Sequence, residues 1–174
     1  DTYKSSVAEL ALEAGVDMLN DIWSLKKDSR LGLLAASYKV PICLMHNRDN
    51  TDYDHLIFDI LQELKESIDL ALQAGINQHQ IVIDPGIGFG KNLQQNLDLM
   101  RNLSCLKTLG YPLLLGTSRK SMIGKTLNLP ADQRVEGTAA TVACGIQAGA
   151  DIVRVHDVLE MRRVALMTDA ILRR

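Results

Sequence analysis

Short apolar runs alternate with longer amphipathic stretches along the whole chain. The clearest amphipathic stretch is 54–73, where apolar side chains recur every three to four residues. This spacing predicts a helix with one face packed against a sheet. Residues 94–109, 132–148 and 158–172 show the same spacing less regularly, so the pattern predicts helices there as well.

Five apolar runs predict short strands that are buried on both faces. Three of these runs follow an Ala-Gly pair, whose glycine supplies the left-handed end of the preceding helix, and the other two begin beside a proline. Strands that alternate with helices predict a parallel α/β sheet. The predicted strands are residues 16–19, 40–45, 81–84, 112–117 and 150–155.

This pattern leaves two architectures open, a doubly wound open sheet and a closed eight-stranded barrel. An open sheet that binds a nucleotide usually has a glycine-rich loop after its first strand. No GxGxxG follows the first predicted strand, and no GxxxxGK[ST] occurs in the sequence. The sequence therefore gives no support to a nucleotide-binding open sheet.

Polar side chains follow each predicted strand at the point where the strand ends. In a parallel barrel all of these ends lie on one face, and that face carries the active site. The pattern therefore predicts one shared polar site. Its candidate residues are Asn20 and Asp21, then His46, Asn47 and Arg48, then Asp84, then Thr117, Ser118, Arg119 and Lys120, and finally Arg154 and His156.

Three of these strand ends indicate a kind of ligand. Arg154 and His156 alternate along a strand, so both lie on one face and suit an anion such as phosphate; a structural role for His156 is the alternative. Asp84 precedes Pro-Gly, so it is either a turn residue or a partner for an N–C–N edge of a ligand. Lys120 is either a Schiff-base lysine or a cation that holds a ring oxygen or an anion.

The segment GIGFGK, residues 86–91, places three glycines around Phe89. One interpretation is a flexible loop whose phenylalanine folds into the core. The other is an aromatic ring, held by a bendable loop, that packs on a flat ligand. Trp23 lies just past Asn20 and Asp21, and the sequence assigns it no role.

Composition narrows the class of protein. The chain has 174 residues, 47% of them hydrophobic and 23% charged, with a formal net charge of −2, so it shows no electrostatic footprint for nucleic acid or for a membrane surface. Three widely spaced cysteines in apolar surroundings predict buried free thiols and a reducing compartment. Because neither a signal-peptide pattern nor a run of about 18 apolar residues is visible, we expect a cytoplasmic enzyme.

The chain resembles the dihydropteroate synthase family from Asp1 to about residue 165. The segments that carry the resemblance are DTYKSSVAELALEAGVDMLNDIW, LMHNR, IVIDPGIGFGK, LLLGTSRKSMIG, EGTAAT and DIVRVHDV, in the family's order. The resemblance implies a TIM-type (β/α)8 barrel, of which this chain would hold roughly the last five strands. Residues 1–174 would then form one pterin-binding barrel domain that is incomplete at its N-terminal end.

The family condenses 6-hydroxymethyl-7,8-dihydropterin pyrophosphate with p-aminobenzoate, giving 7,8-dihydropteroate and pyrophosphate. The resemblance implies that the pterin methylene ionises first and that the amine then attacks it. It implies catalytic roles for Asp84, Lys120, Arg154 and His156. By group, it implies pterin binding by Asp1, Asn20, Asp84 and Lys120, pyrophosphate binding by Arg154 and His156, and a p-aminobenzoate pocket at Phe89 and Ser118.

The resemblance also implies what the chain lacks. The family's first three strands would precede Asp1, with the asparagine that binds Mg²⁺ and two mobile loops, so we expect no metal ligand within this sequence. A free fragment of this length is expected to show weak or no turnover. The family further implies a homodimer formed through late helices, and inhibition by sulfonamides that compete with p-aminobenzoate.

Three alternatives remain at this point. A pterin-binding methyltransferase barrel, the folate-binding module of corrinoid systems, shares the fold and a similar pocket. A non-catalytic pterin-binding fragment would bind pterin without releasing pyrophosphate. A Schiff-base aldolase would use Lys120 as its nucleophile.

Overall fold

A computed structural model describes residues 1–172, and its centre is a set of five parallel strands in chain order. Strands β1, β2 and β3 form one sheet, strands β4 and β5 form another, and a single parallel bridge between Ile83 and Leu113 joins the two. The strand bounds are Leu19–Asp21 for β1, Ile42–Met45 for β2, Ile81–Asp84 for β3, Leu114–Leu115 for β4 and Ile152–Val153 for β5.

All five predicted strands are present, but most are shorter than predicted. The predicted strand 16–19 is wrong in its bounds, because pairing with β2 runs from Leu19 to Asp21 and includes the polar residues that were expected to follow it. Strands β4 and β5 have two residues each. The ends of the strands are therefore set by hydrogen bonding to the neighbouring strand, which the apolar runs in the sequence do not show.

Seven helices connect and flank these strands within residues 1–172. Their bounds are Ser5–Glu13 for α1, Arg30–Tyr38 for α2, Leu56–Gln73 for α3, Leu93–Arg101 for α4, Ser121–Leu127 for α5, Val135–Gln147 for α6 and Val158–Leu172 for α7. Short 3-10 turns cover Gln78–Gln80, Leu103–Leu109 and Ala131–Gln133. None of these helices combines the length and apolar character that a bilayer span requires.

The helix predictions were correct for α3 and α7 and only partly correct elsewhere. The predicted helix 94–109 is two pieces, because the chain leaves the α-helical conformation at Asn102 and continues as a 3-10 turn. The predicted helix 132–148 begins later, at Val135. Helices α2 and α5 were not predicted, since both are short and each contains a glycine; Gly32 of α2 lies where a Cβ would be 2.9 Å from the Ala74 Cβ.

Strands β2 and β3, in the middle of the set, are buried on both faces. Every residue of β2 and β3 is buried. Ile42, Leu44 and Ile83 belong to the large cluster shared with the helices, whereas Cys43, Val82 and Leu114 form a small cluster on the opposite face. Burial of both faces is typical of a parallel sheet in an α/β protein.

The expectation of three buried thiols is correct for one of them. Cys43 is buried, Cys105 is partly exposed and Cys144 is exposed, and all three thiols are free. Cys144 lies on α6, where its neighbours Val142 and Ile146 are buried while Cys144 itself faces outwards. Its apolar sequence context therefore reflected the other face of the helix.

Candidate active site

Arg154 joins three strand ends that are far apart in sequence. Its Nη1 donates to the Asn20 Oδ1 at 3.0 Å, and its Nη2 lies 3.3 Å from the Asp84 Oδ2. Asn20 in turn donates through its Nδ2 to the Asp1 Oδ1. Four of the predicted site residues therefore form one hydrogen-bonded network at the carboxyl ends of β1, β3 and β5.

Asp84 has two roles at once. Its Oδ1 accepts the Gly86 N–H at 2.8 Å, so the prediction of a turn residue is correct. Its Oδ2 faces Arg154, so the carboxylate also belongs to the shared site. Burial raises the pKa of Asp84, while the Gly86 N–H and the nearby cations Lys120 and Arg154 act in the opposite direction.

The glycine-rich loop after β3 lies close against the end of β2. Gly86 has φ +68°, and a Cβ there would be 1.9 Å from the His46 carbonyl oxygen, so glycine is required for this close approach. The Phe89 N–H donates to the Gly86 carbonyl at 3.0 Å and closes a turn. Ile87, which is fully buried, is the side chain that enters the core. Phe89 is partly exposed, so the first of the two interpretations, a phenylalanine folded into the core, is wrong.

Lys120 contacts the same loop from the end of β4. Its Nζ donates to the Ile87 carbonyl and lies 4.6 Å from the centre of the Phe89 ring. Burial lowers the pKa of Lys120 to about 8, although Asp84 acts against that shift. The ammonium group, the aromatic ring and the Asp84 carboxylate thus border one region of the strand-end face.

Ser118 and His156 form a second pair, between the ends of β4 and β5. The Ser118 Oγ accepts the His156 backbone N–H at 3.1 Å and lies 2.9 Å from the His156 Nδ1. Arg154 and His156, predicted together as an anion site, therefore have different partners in this structure. Beside them Arg119 makes a two-fold contact with Asp157, which lowers the pKa of that carboxyl and ties the two loops together.

Several polar strand-end residues have structural roles instead of facing the shared site. Both carboxylate oxygens of Asp21 accept backbone N–H groups, of Trp23 at 2.9 Å and of Leu25 at 2.6 Å. Arg48 is paired with Glu63 of α3. The expectation that every strand end adds to one site was therefore too broad, because loop backbone and helix α3 use some of these groups.

One buried charged residue near the site was not predicted from the sequence. Lys91, at the end of the glycine-rich loop, is only 9% exposed, and its Nζ lies 2.9 Å from the His46 Nδ1. Burial lowers the pKa of Lys91 to about 7 and that of His46 to about 2, so the histidine is neutral. A lysine after three glycines looks like a solvated loop residue, so nothing in the sequence marked it as buried.

Residues 1–156 match the model of a family described as pterin binding enzyme. The chain belongs to the pterin-binding enzyme family. It is 60% identical over 175 residues to a dihydropteroate synthase of Clostridium beijerinckii, and the alignment covers 100% of this chain and 65% of that relative. It is 51% identical to the dihydropteroate synthase of Bacillus subtilis, covering 99% of this chain and 60% of that one. The chain thus spans a little under two thirds of these relatives.

Solved structures of the pterin-binding family agree with the fold. The dihydropteroate synthase of Clostridium difficile, determined in the presence of pteroic acid, superposes with a TM-score of 0.98 at 51% identity, covering 100% of this chain and 66% of that one. The Yersinia pestis dihydropteroate synthase in a complex with a sulfonamide drug superposes with a TM-score of 0.94 at 39% identity, covering 98% of this chain and 64% of that one. The Xanthomonas albilineans dihydropteroate synthase with 4-aminobenzoic acid superposes with a TM-score of 0.94 at 36% identity, covering 100% of this chain and 64% of that one.

The similarity decides between the two architectures left open by the sequence. The fold is that of a TIM-type α/β barrel, to which residues 1–172 contribute five successive strands and their helices. The prediction of this fold class is confirmed, as is the resemblance to dihydropteroate synthases. An open doubly wound sheet is excluded, and the polar strand ends lie where barrel enzymes carry their active sites.

Proposed function

We propose that the protein acts as a dihydropteroate synthase. It would join 6-hydroxymethyl-7,8-dihydropterin pyrophosphate to p-aminobenzoate and release pyrophosphate, as a step of folate biosynthesis. The observation that carries this proposal is the buried Asp84 carboxylate, which shares one hydrogen-bonded network with Asn20 and Arg154 at the strand-end face. The Clostridium difficile relative, solved with pteroic acid, supports a pterin ligand at such a face.

Asp84 is the proposed anchor of the pterin ring. The ring's amino group and adjacent N–H form a guanidine-like donor edge, and a carboxylate is the acceptor that best fits such an edge. In this structure the Arg154 guanidinium, which has the same N–C–N arrangement of donors, lies against Asp84 Oδ2 and Asn20 Oδ1. Asn20 and Asp1 would hold the ring from the β1 side, and Lys120 would donate to its carbonyl oxygen and ring nitrogen.

Arg154 and His156 are the proposed ligands of the pyrophosphate. The Arg154 side chain is 42% exposed, and a pterin edge bound to Asp84 Oδ2 and Asn20 Oδ1 would take the place of its guanidinium, which could then turn towards an anion. His156 lies beside Ser118, with its Nδ1 at 2.9 Å from the hydroxyl oxygen. A hydrogen bond there would leave the other ring nitrogen for a phosphate oxygen.

Phe89 and Ser118 are the proposed walls of the p-aminobenzoate site. The Lys120 Nζ lies over the Phe89 ring, 4.6 Å from its centre. Because Phe89 is partly exposed, part of its ring surface remains for a flat aryl amine. Sulfonamides resemble p-aminobenzoate in shape and would compete for the same place. The Xanthomonas relative with 4-aminobenzoic acid and the Yersinia relative with a sulfonamide drug support both ligands.

The proposed chemistry is ionisation of the pterin methylene followed by attack of the amine. Departure of pyrophosphate leaves positive charge on the pterin, and the Asp84 carboxylate, buried in a medium of low dielectric constant, stabilises that charge. Arg154 and His156 stabilise the departing anion. The aryl amine is uncharged at neutral pH, so it attacks without a strong general base. After the C–N bond has formed, the nitrogen releases one proton to water or to the departed pyrophosphate.

Mg²⁺ is proposed as the ion that accompanies the pyrophosphate and neutralises part of its charge when bound. Among residues 1–172 no group of three His, Cys, Asp or Glu side chains is arranged to hold a metal ion. Asp84, the carboxylate that faces Arg154, already accepts the Gly86 N–H. These residues do not fit a metal by themselves, so no step is assigned to one.

A homodimer and a cytoplasmic location complete the proposal. Helix α7 packs on α6 through Met161, yet Leu166, Met167 and Ile171 are each more than half exposed. An exposed apolar surface of this kind on a late helix supports contact with a second copy. The exposed free thiol of Cys144 supports a reducing compartment.

The test is to incubate the purified full-length protein with pterin pyrophosphate, p-aminobenzoate and Mg²⁺, because residues 1–174 alone are expected to show weak or no turnover. We expect 7,8-dihydropteroate and pyrophosphate in equal amounts, and binding of pteroic acid in the absence of substrates. Binding without product would leave a non-catalytic pterin-binding protein and refute the catalytic part. Neither binding nor product would refute the whole proposal.

A further inference from the structure

Lys91 uses all three hydrogens of its ammonium group on acceptors inside the protein. Its Nζ lies 3.1 Å from the Gly86 carbonyl oxygen, 3.0 Å from that of Phe89 and 2.9 Å from the His46 Nδ1. Its side chain is nearly enclosed, at 9% exposure. A buried lysine whose donors are all paired is a built feature, because an unpaired buried ammonium would be strongly unfavourable.

These contacts determine which nitrogen of His46 carries the hydrogen. When Lys91 is an ammonium, which can only donate, the His46 Nδ1 accepts from it and the hydrogen lies on Nε2. That nitrogen has no hydrogen-bond partner within residues 1–172, and the nearest acidic oxygen, the Glu63 Oε2, is 3.6 Å away. An N–H pointing towards a carboxylate is favourable, whereas a bare lone pair there would be repelled.

The two carbonyls that Lys91 holds belong to the loop that positions the proposed pterin site. The Gly86 N–H donates to Asp84, so the position of Gly86 affects the direction of the carboxylate. Phe89 carries the proposed wall of the p-aminobenzoate site. Lys120 holds the carbonyl of Ile87 between them, so two lysines fix three successive parts of one loop.

We propose that Lys91 is a positioning residue for ligand recognition, which holds the glycine-rich loop so that Asp84 and Phe89 face the pterin and the aryl amine. This inference rests on the proposed function. It assigns Lys91 no contact with the substrate. The lysine contacts the backbone of the loop and the His46 ring, and the His46 Nε2 lies 3.6 Å from the Oε2 of Glu63 on helix α3.

Burial lowers the pKa of Lys91 to about 7, and the charged groups around the lysine act on its proton in both directions. The Asp84 and Glu63 carboxylates oppose the loss of its proton. Two neighbouring cations favour that loss. The charged and titratable groups around it are His46 and Arg48 from the end of β2, Glu63 from α3, Asp84 from the end of β3 and Lys120 from the end of β4.

The first test is Lys91→Met, which keeps an unbranched side chain one atom shorter than lysine and removes its donors. The matched control is Lys65→Met, at an exposed position of α3. We expect the Kd for pteroic acid to rise about tenfold or more in Lys91→Met, the scale of a lost charge-assisted hydrogen bond, and to stay within about twofold in the control. Cooperative thermal unfolding of each variant checks that the protein is folded.

A second measurement begins with the wild-type protein and is then repeated on the variant. In the wild-type protein at pH 6 the ¹⁵N signals of His46 should show hydrogen on Nε2 and a bare, accepting Nδ1. In Lys91→Met these signals should change, together with the amide signals of residues 86–90. A purely structural loss elsewhere in the chain would not move the hydrogen on His46, so this readout is specific to the proposed contact.

The outcomes separate this inference from the proposed function. If wild type binds pteroic acid and a folded Lys91→Met binds it equally well, the inference is refuted and the function stands. If the variant does not fold, hydrogen on the wild-type His46 Nδ1 refutes the inference, and hydrogen on Nε2 supports it. If wild type itself binds no pteroic acid, the proposed function fails and the inference fails with it.

Discussion

Replacing Asp84 by asparagine tests the proposed placement of the pterin most directly. The change removes one negative charge and keeps the size of the side chain. Asparagine can still accept the Gly86 N–H through its oxygen, which Asp84 does at 2.8 Å. Its amide NH₂ would then point where Asp84 Oδ2 now faces Arg154, so a donor would replace the acceptor in the site.

The expected loss can be worked out from these contacts. Removing a charge-assisted acceptor from a buried pair and leaving donor against donor weakens binding by about 1.5–3 kcal/mol. Since about 1.4 kcal/mol corresponds to a factor of ten, the Kd for pteroic acid should rise roughly 10- to 150-fold. The wild-type carboxylate is only 3% exposed, so little water screens the interaction that is lost.

Stability should change far less than affinity. The Arg154 side chain is 42% exposed, so its charge stays hydrated when its partner is neutral, and the change removes a carboxylate whose burial is unfavourable. We expect the free energy of unfolding to change by about 1 kcal/mol or less. Denaturant unfolding measures this directly, and a larger loss would show that Asp84 mainly supports the loop.

The assay is isothermal titration of pteroic acid into wild type, Asp84→Asn and the control Asp69→Asn. Asp69 is exposed on α3, so the same chemical change there should leave the affinity as it is. A folded Asp84→Asn with wild-type affinity would contradict the reasoning, because a ring held by this carboxylate cannot lose it without effect. An equal loss in both variants would point to a general effect of charge.

Three further results are expected. Burial lowers the pKa of Lys120 to about 8, so the affinity for pteroic acid should fall above about pH 8 in wild type but not in Lys120→Met. The free energy of unfolding should instead rise between about pH 8 and 10.5, because the lysine binds its proton more tightly in the unfolded chain. A flat pH profile of either quantity in wild type would contradict this. If ionisation precedes attack, ¹⁸O in the bridging position of the pterin pyrophosphate should scramble without p-aminobenzoate, and retention would indicate direct displacement. Leu166→Glu should convert a dimer to monomers in sedimentation, and an unchanged mass would place any interface elsewhere.

The site was predictable to the extent that it depends on strand ends. Asp84, Lys120 and Arg154 could be named because each follows an apolar run, and parallel strands bring such ends to one face. Asp21 satisfied the same rule, yet its carboxylate accepts two backbone N–H groups of its own turn. The rule identifies the face of the sheet but does not say whether a side chain points into the site or into the loop.

The loop after β3 shows the same limit more clearly. The three glycines of residues 86–91 were visible, and they indicated a special backbone. Which side chain of the loop enters the core depends on the close contact between Gly86 and the His46 carbonyl, which turns Ile87 inwards and leaves Phe89 at the surface. That contact joins residues that follow two different strands, so no local pattern contains it.

The sequence alone determined the alternation of strands and helices, the parallel sheet and the set of polar residues at its carboxyl edge, because burial of apolar side chains repeats with the period of each element. Only the tertiary structure decided which polar groups meet. Arg154 reaches Asn20 across 134 positions, and Lys91 reaches His46 across 45. Such pairs depend on strand register and on side-chain directions, which many distant contacts set together.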